Sequence, residues 1–248
     1  MESLLYSLVA GSTTVLGALL LFLSGPPGKR VMALLLGFAG GVMIALSVFE
    51  LMPEAVELGS TLGAVVGFLL GCLLMFLLDI ILPHAHLSQA EDLVVENAPR
   101  PPMPRESLRR TGYLIFFGIA LHNIPEGVAI GAGLEAGPEL GLYIAAAIAL
   151  HNIPEGLAVA GPLRAGGLSM GRVVLFTLAA GLMTVVGTAV GLLVLGISPA
   201  LVGGSLAFAA GAMIYIVNDE LIPQANGLNS HLANGGLIVG LMVGFVLL

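Results

Sequence analysis

The apolar positions of this chain fall in long runs, and its polar positions collect in the short stretches between them. Eight runs stand out: Leu4–Leu23, Val31–Met52, Leu62–Leu82, Gly112–Leu134, Leu140–Leu163, Val173–Leu195, Ala200–Ile222 and Asn229–Leu248. Each approaches the roughly 20 apolar residues that a helix needs to cross a bilayer. No alternation of period two persists, so the pattern predicts helices and not a barrel. The first run has Glu2 where a secretory signal would carry basic residues, and it is longer than a signal core, so it is expected to remain as a span.

The cations order these spans. Lys29 and Arg30 follow the first run; Arg100, Arg105, Arg109 and Arg110 follow the third; Arg164 and Arg172 follow the fifth. In an eight-span chain those three connections share one side, and the positive-inside rule makes it cytoplasmic. Both termini are then expected outside, in what reads as a bacterial inner (plasma) membrane. The expected fold is an all-α integral membrane protein of eight transmembrane helices. Residues 1–82 carry spans one to three, 83–111 a flexible cytoplasmic loop, 112–163 spans four and five, and 164–248 spans six to eight. The loop is rich in proline and charge and begins with His84 and His86, a candidate transient metal site.

An offset of 170 residues exposes a repeat. Leu5–Gly17 and Leu175–Gly187 share seven of thirteen residues, and Phe38–Ala55 and Phe208–Ala225 share nine of eighteen, aligning Glu50 with Glu220 and Pro53 with Pro223. The glycine row Gly63, Gly67, Gly71 reads as the counterpart of Gly236, Gly240, Gly244. Five spans separate each pair of mates, so the copies run in opposite directions, an inverted 3+2+3 arrangement. In transporters so built, substrate binds near the bilayer midplane.

Composition narrows the function. Of 248 residues, 58% are hydrophobic and only 9% charged, at a mean hydropathy of +1.06. That is too little charge to cover a water-facing globule, so the lipid bilayer is the main partner. A net charge of −7 does not suggest nucleic-acid binding. The single Cys72 excludes an internal disulfide and a cysteine-based zinc site. The thirty-five glycines suit close helix packing, and the Gly63 row fits either an internal contact or a homodimer.

Against this background, Leu-His-Asn-Ile-Pro-Glu-Gly occurs twice, at Leu121–Gly127 and Leu150–Gly156, each in the middle of a span. At about 100° per residue, His122, Asn123 and Glu126 share one helix face, as do His151, Asn152 and Glu155. Pro125 and Pro154 remove the helical partners of the Leu121 and Leu150 carbonyls. A carboxylate at the bilayer centre costs about 2.5–3.5 kcal/mol on insertion scales, and no Lys or Arg falls within a span core. A divalent ion would balance two carboxylates. Imidazoles, amide oxygens and carboxylates together suit a borderline metal such as Zn²⁺, Fe²⁺ or Mn²⁺. Glu50 and Glu54 at the outer end of span two, and Asp219 and Glu220 at the inner end of span seven, mark opposite mouths of one path. The residues themselves leave open a carrier, a metal-selective channel, a structural or sensory protein, and an intramembrane metallohydrolase, although the His-Glu-x-x-His zinc-protease arrangement is absent.

At these motifs, with "ELMPEA" and "NDELIPQAN" in support, the chain resembles the ZIP (Zrt-/Irt-like protein) family of divalent-metal transporters and, within it, the bacterial GufA-like branch. The resemblance implies transport and no enzymatic activity. Zinc is the foremost cargo it implies, with iron, manganese and cadmium as further candidates. It implies that His122, Asn123, Glu126, His151, Asn152 and Glu155 form the transport site, with Met43 on span two close to the metal. It also implies that spans one, four, five and six move against two, three, seven and eight. Relatives with a two-metal site often supply a further glutamate from span six, where this chain has Thr184 at similar depth and no carboxylate. One main metal is therefore expected, or a second one held more weakly.

Overall fold

The computed structural model describes residues 2–25, 27–81, 105–195 and 198–247. His84 and His86 lie outside them. All regular structure among the described residues is helical: α1 (Glu2–Ser12), α2 (Thr14–Ser24), α3 (Lys29–Ala45), α4 (Met52–Leu58), α5 (Thr61–Ile81), α6 (Arg105–Ala136), α7 (Pro138–Ala165), α8 (Met170–Leu195), α9 (Pro199–Ile216) and α10 (Ile222–Leu247). Joined where they are continuous, they give seven helices long and apolar enough to cross a membrane, the last running 49 residues from Pro199 to Leu247. Within that last stretch Asn229 is extended (φ −168°, ψ 107°), and its side chain accepts the Leu232 N–H at 3.0 Å, starting a fresh helical segment.

Helix ends follow local chemistry. Pro138 opens α7, and Pro199 opens α9 behind Ser198, whose hydroxyl accepts the Leu201 N–H. Gly25 (φ 76°) follows α2, and Gly167 (φ 93°) follows α7. Several helices outrun their apolar runs. The second continues past Met52 to Leu58, and α6 starts at Arg105, before Gly112. Hydropathy marks where a helix is greasy, whereas helical hydrogen bonding continues into water.

Two short π-helical segments, Leu46–Leu51 and Val217–Leu221, link α3 to α4 and α9 to α10. At their ends the Met52 N–H donates to Ser47 O and the Ile222 N–H to Val217 O, five residues back. Each is followed, after one intervening residue, by a proline, Pro53 or Pro223. A proline ring collides with the carbonyl four residues behind it and cannot donate. Widening the preceding turn relieves that collision and lets the helix run on. Thr13 divides the first span differently: its hydroxyl proton is shared between Ala10 O (2.6 Å) and Ala149 O on α7 (2.8 Å).

The helices pack as two groups. In one, α1 and α2 lie on α7 and α8, and α6 packs on both α7 and α8. In the other, α3 packs along α10, and α9 along α5 and α4. The groups meet mainly where α6 touches α9 and α3 touches α7. Small residues permit the tightest approaches. A Cβ on Gly127 would strike Thr184 O, and one on Gly156 would strike Thr14 O. The corresponding contacts in the second group set Gly71 on Phe208 O and Gly240 on Phe38 O. Outward faces remain apolar, with Leu23, Leu62, Leu193 and Val246 each more than 70% exposed, as a lipid-facing surface requires.

Candidate metal site

Helices α6 and α7 run as α-helix through Pro125 and Pro154 and carry the two motifs side by side. His122, Asn123, Glu126, His151, Asn152 and Glu155 are all at most 1% exposed. The ligand atoms of His122, Glu126 and Glu155 lie within 4.8 Å of one another. The pairing crosses between helices. His151 Nε2 lies 3.0 Å from Glu126 Oε1 in hydrogen-bonding geometry. His122 Nε2 lies 3.2 Å from Glu155 Oε2 without the alignment of a hydrogen bond, and 4.0 Å from Glu126 Oε1. Each imidazole thus faces the carboxylate of the opposite motif.

The asparagines are held from behind. Asn123 Nδ2 donates to Ala180 O on α8 at 2.8 Å, and Asn152 Nδ2 donates to Ala10 O on α1 at 3.0 Å. An amide so anchored has a fixed orientation, and both Oδ1 atoms are left buried without a partner. Glu126 Oε2, both Glu155 oxygens and the Nδ1 atoms of both histidines are also buried without hydrogen bonds. Native interiors rarely leave such groups unsatisfied. So many unsatisfied acceptors in one place, two of them carboxylates, form a donor set suited to a cation of mixed nitrogen and oxygen preference.

A sequence profile of the family described as ZIP Zinc transporter matches residues 82–248. The Zinc transporter ZupT of Escherichia fergusonii is 39% identical over 245 residues, covering 97% of this chain and 93% of that protein. The chain belongs to the ZIP family. Zinc transporter ZupT of an Enterobacter species is 40% identical over 245 residues, and that of an Escherichia coli strain 39% over 246, each with the same coverage of both chains. With seven long apolar helices and these relatives, this ZIP chain is an integral membrane protein.

The remaining candidates of this ZIP chain stand on other helices than the cluster. Met43 is fully buried on α3, a helix that touches α7. Glu50 lies in the first π segment and Glu54 in α4, both half-buried. Asp219 and Glu220 are half-buried in the second π segment, and both make interactions there. Sequence reasoning missed three polar contributors. Thr13 ties the first span to α7, and Thr188 donates to Gly127 O at 2.7 Å beside the motif. The Ser47 hydroxyl is buried without a partner at the start of the first π segment. An isolated hydroxyl in an apolar run was the only signal for Thr188 and Ser47, and Thr13 was one of three consecutive hydroxyl residues, Ser12–Thr14.

Proposed function

We propose that this protein carries divalent transition metal, zinc foremost, across its membrane through His122, Asn123, Glu126, His151, Asn152 and Glu155. The observation that carries the reading is the close, fully buried His122–Glu126–Glu155 cluster. Its two carboxylates require a counter-charge, and the described Lys and Arg residues belong to helix ends or connections: Lys29 and Arg30 start α3, Arg105, Arg109 and Arg110 start α6, Arg164 ends α7 and Arg172 starts α8. A dication supplies two charges, and imidazole with carboxylate suits Zn²⁺. The zinc transporter names of the relatives support zinc as cargo. A family of transporters also supports a non-enzymatic role.

The finer topology belongs to the same reading. Eight crossings result if the last stretch is divided at Asn229. Residues 1–82 and 164–248 are then inverted repeats around spans four and five (112–163), with 83–111 as a cytoplasmic loop and both termini outside. The paired π segments and the paired contacts Gly127–Thr184 and Gly156–Thr14 support the repeat. Metal arrives past Glu50 and Glu54, is stripped of water between α6 and α7, and leaves past Asp219 and Glu220. Glu220 is close enough to His122 for their charges to interact. Met43 lines the way, and His84 and His86 hold metal transiently at the loop. The two helix groups move as blocks, the one containing α6 and α7 against the one containing α3 and α9, in a bacterial inner membrane.

Uptake of Zn²⁺ into proteoliposomes, compared with Fe²⁺, Mn²⁺ and Cd²⁺, tests the function. Saturable uptake that disappears in Glu126→Ala, with the variant still inserted, is the expected result. Normal uptake by that variant removes the site from the mechanism.

A further inference from the structure

A cavity of about 370 Å³ opens at one end of the bundle, away from the metal site. Its walls are Leu21 and Phe22 near the end of α2, Gly161 and Arg164 in the last turns of α7, and Met170 at the start of α8. Among the described residues of the lining, Arg164 is the one that carries charge. One nitrogen of Arg164, Nη1, donates to Leu168 O at 3.0 Å and so fixes the guanidinium at the rim.

Further cations belong to the helix ends at or next in sequence to the cavity, with Glu106 in the first turn of α6 as an acidic neighbour of Arg109 on that helix. Arg172 stands in the first turn of α8, whose first N–H groups lack helical acceptors. Arg109 of α6 packs its backbone against Gly166, just beyond α7. Lys29 and Arg30 begin α3, five and six residues after Ser24 ends α2. The cavity is therefore amphipathic in a defined sense: an apolar wall below and a guanidinium at the mouth. An inorganic anion would leave the apolar wall unfilled, and a neutral lipid would leave the guanidinium without a counter-charge.

We infer that this cavity is a binding site for one anionic glycerophospholipid, its phosphate on Arg164 and an acyl chain against Leu21, Phe22 and Met170. A guanidinium recognises a phosphate through parallel, charge-assisted hydrogen bonds, and basic recesses between membrane helices hold anionic headgroups by this chemistry. The lipid would join α2, α7 and α8 at the membrane surface. The inference does not depend on which metal is carried or whether any is.

Gly161 supplies a clean test, because a Cβ there meets nothing within 4 Å. Gly161→Leu adds an apolar side chain to the cavity wall from a position open at Cβ and leaves Arg164 in place. Purified protein in detergent is titrated with phosphatidylglycerol or with phosphatidylethanolamine of matched chains, and bound lipids are counted by native mass spectrometry. The wild type is expected to retain one phosphatidylglycerol in preference to phosphatidylethanolamine. Gly161→Leu should lose it while melting, lipid-free, as the wild type does. Arg164→Gln, whose apolar wall is intact, should bind phosphatidylglycerol about tenfold more weakly, the loss of one charge-assisted contact, with phosphatidylethanolamine unaffected. Equal retention of the two lipids by the wild type, unchanged phosphatidylglycerol binding in both variants, or displacement of the lipid by millimolar inorganic phosphate would each overturn the assignment.

Discussion

Replacing Glu126 with glutamine isolates the charge at the centre of the site. The side chains have nearly the same shape. The glutamine oxygen can still accept from His151 Nε2, which lies 3.0 Å from Glu126 Oε1 in the wild type. What disappears is one negative charge in a residue with no exposure. With Zn²⁺ bound, two carboxylates and one dication sum to zero; the variant is left with a net positive charge in the membrane interior. Such a charge costs about 2.5–3.5 kcal/mol on insertion scales. At about 1.4 kcal/mol per decade, Zn²⁺ binding should weaken on the order of a hundredfold. Without metal the sign reverses. The wild type then holds two carboxylates within one small cluster, and removing one should raise the melting temperature in chelator. Competition against a fluorescent zinc chelator measures the first effect and thermal melting in EDTA the second. Zinc affinity within about threefold of the wild type, or a metal-free variant that melts lower, would show that Glu126 acts only as a hydrogen-bond partner of His151.

Three further outcomes are expected. Asn152→Leu removes the bond to Ala10 O and should destabilise the protein by about 0.6–1.7 kcal/mol, the range for interhelical hydrogen bonds in membranes, while also weakening zinc binding; melting with and without Zn²⁺ separates the two effects. Gly127→Ala drives a methyl group into Thr184 O and should cost about 1–3 kcal/mol as helices α6 and α8 are forced apart, seen as a lower melting temperature and reduced zinc uptake. Acid should act as a competitor of metal, because imidazole and carboxylate bind only when deprotonated; initial uptake rates should show a rising apparent KM for Zn²⁺ as pH falls, with little change at saturating metal.

The parts of this molecule that sequence revealed are those in which polarity contrasts with its background. The apolar runs marked the helices, and His122, Glu126, His151 and Glu155 stood out because nothing around them was charged. Where contrast was lacking, the sequence was ambiguous. Glycines four residues apart look alike after a shift of one turn. The row Gly63, Gly67, Gly71 was set against Gly236, Gly240, Gly244, and spacing alone could not say that Gly71 meets Phe208 O while Gly240 meets Phe38 O. The π segments were hidden for another reason. Pro53 and Pro223 were visible, but the widened turns before them depend on how the backbone relieves a steric conflict, which residue type alone does not specify. Asn123 and Asn152 stood out as amides in apolar runs, while their anchors, Ala180 O and Ala10 O, are backbone atoms that carry no side-chain signature.

Those two anchors have an engineering consequence. Asn123 links α6 to α8, and Asn152 links α7 to α1, so the two helices that carry the paired motifs are cross-braced to their flanking helices. A brace of this kind makes that bundle a rigid cassette. Paired reporter labels confined to α1, α6, α7 and α8 should hold constant spacing throughout a turnover cycle, whereas a label on α6 paired with one on α9 spans the seam between the groups and should change spacing under the proposed block movement. A covalent staple across that seam would arrest the machine with its cargo seat intact.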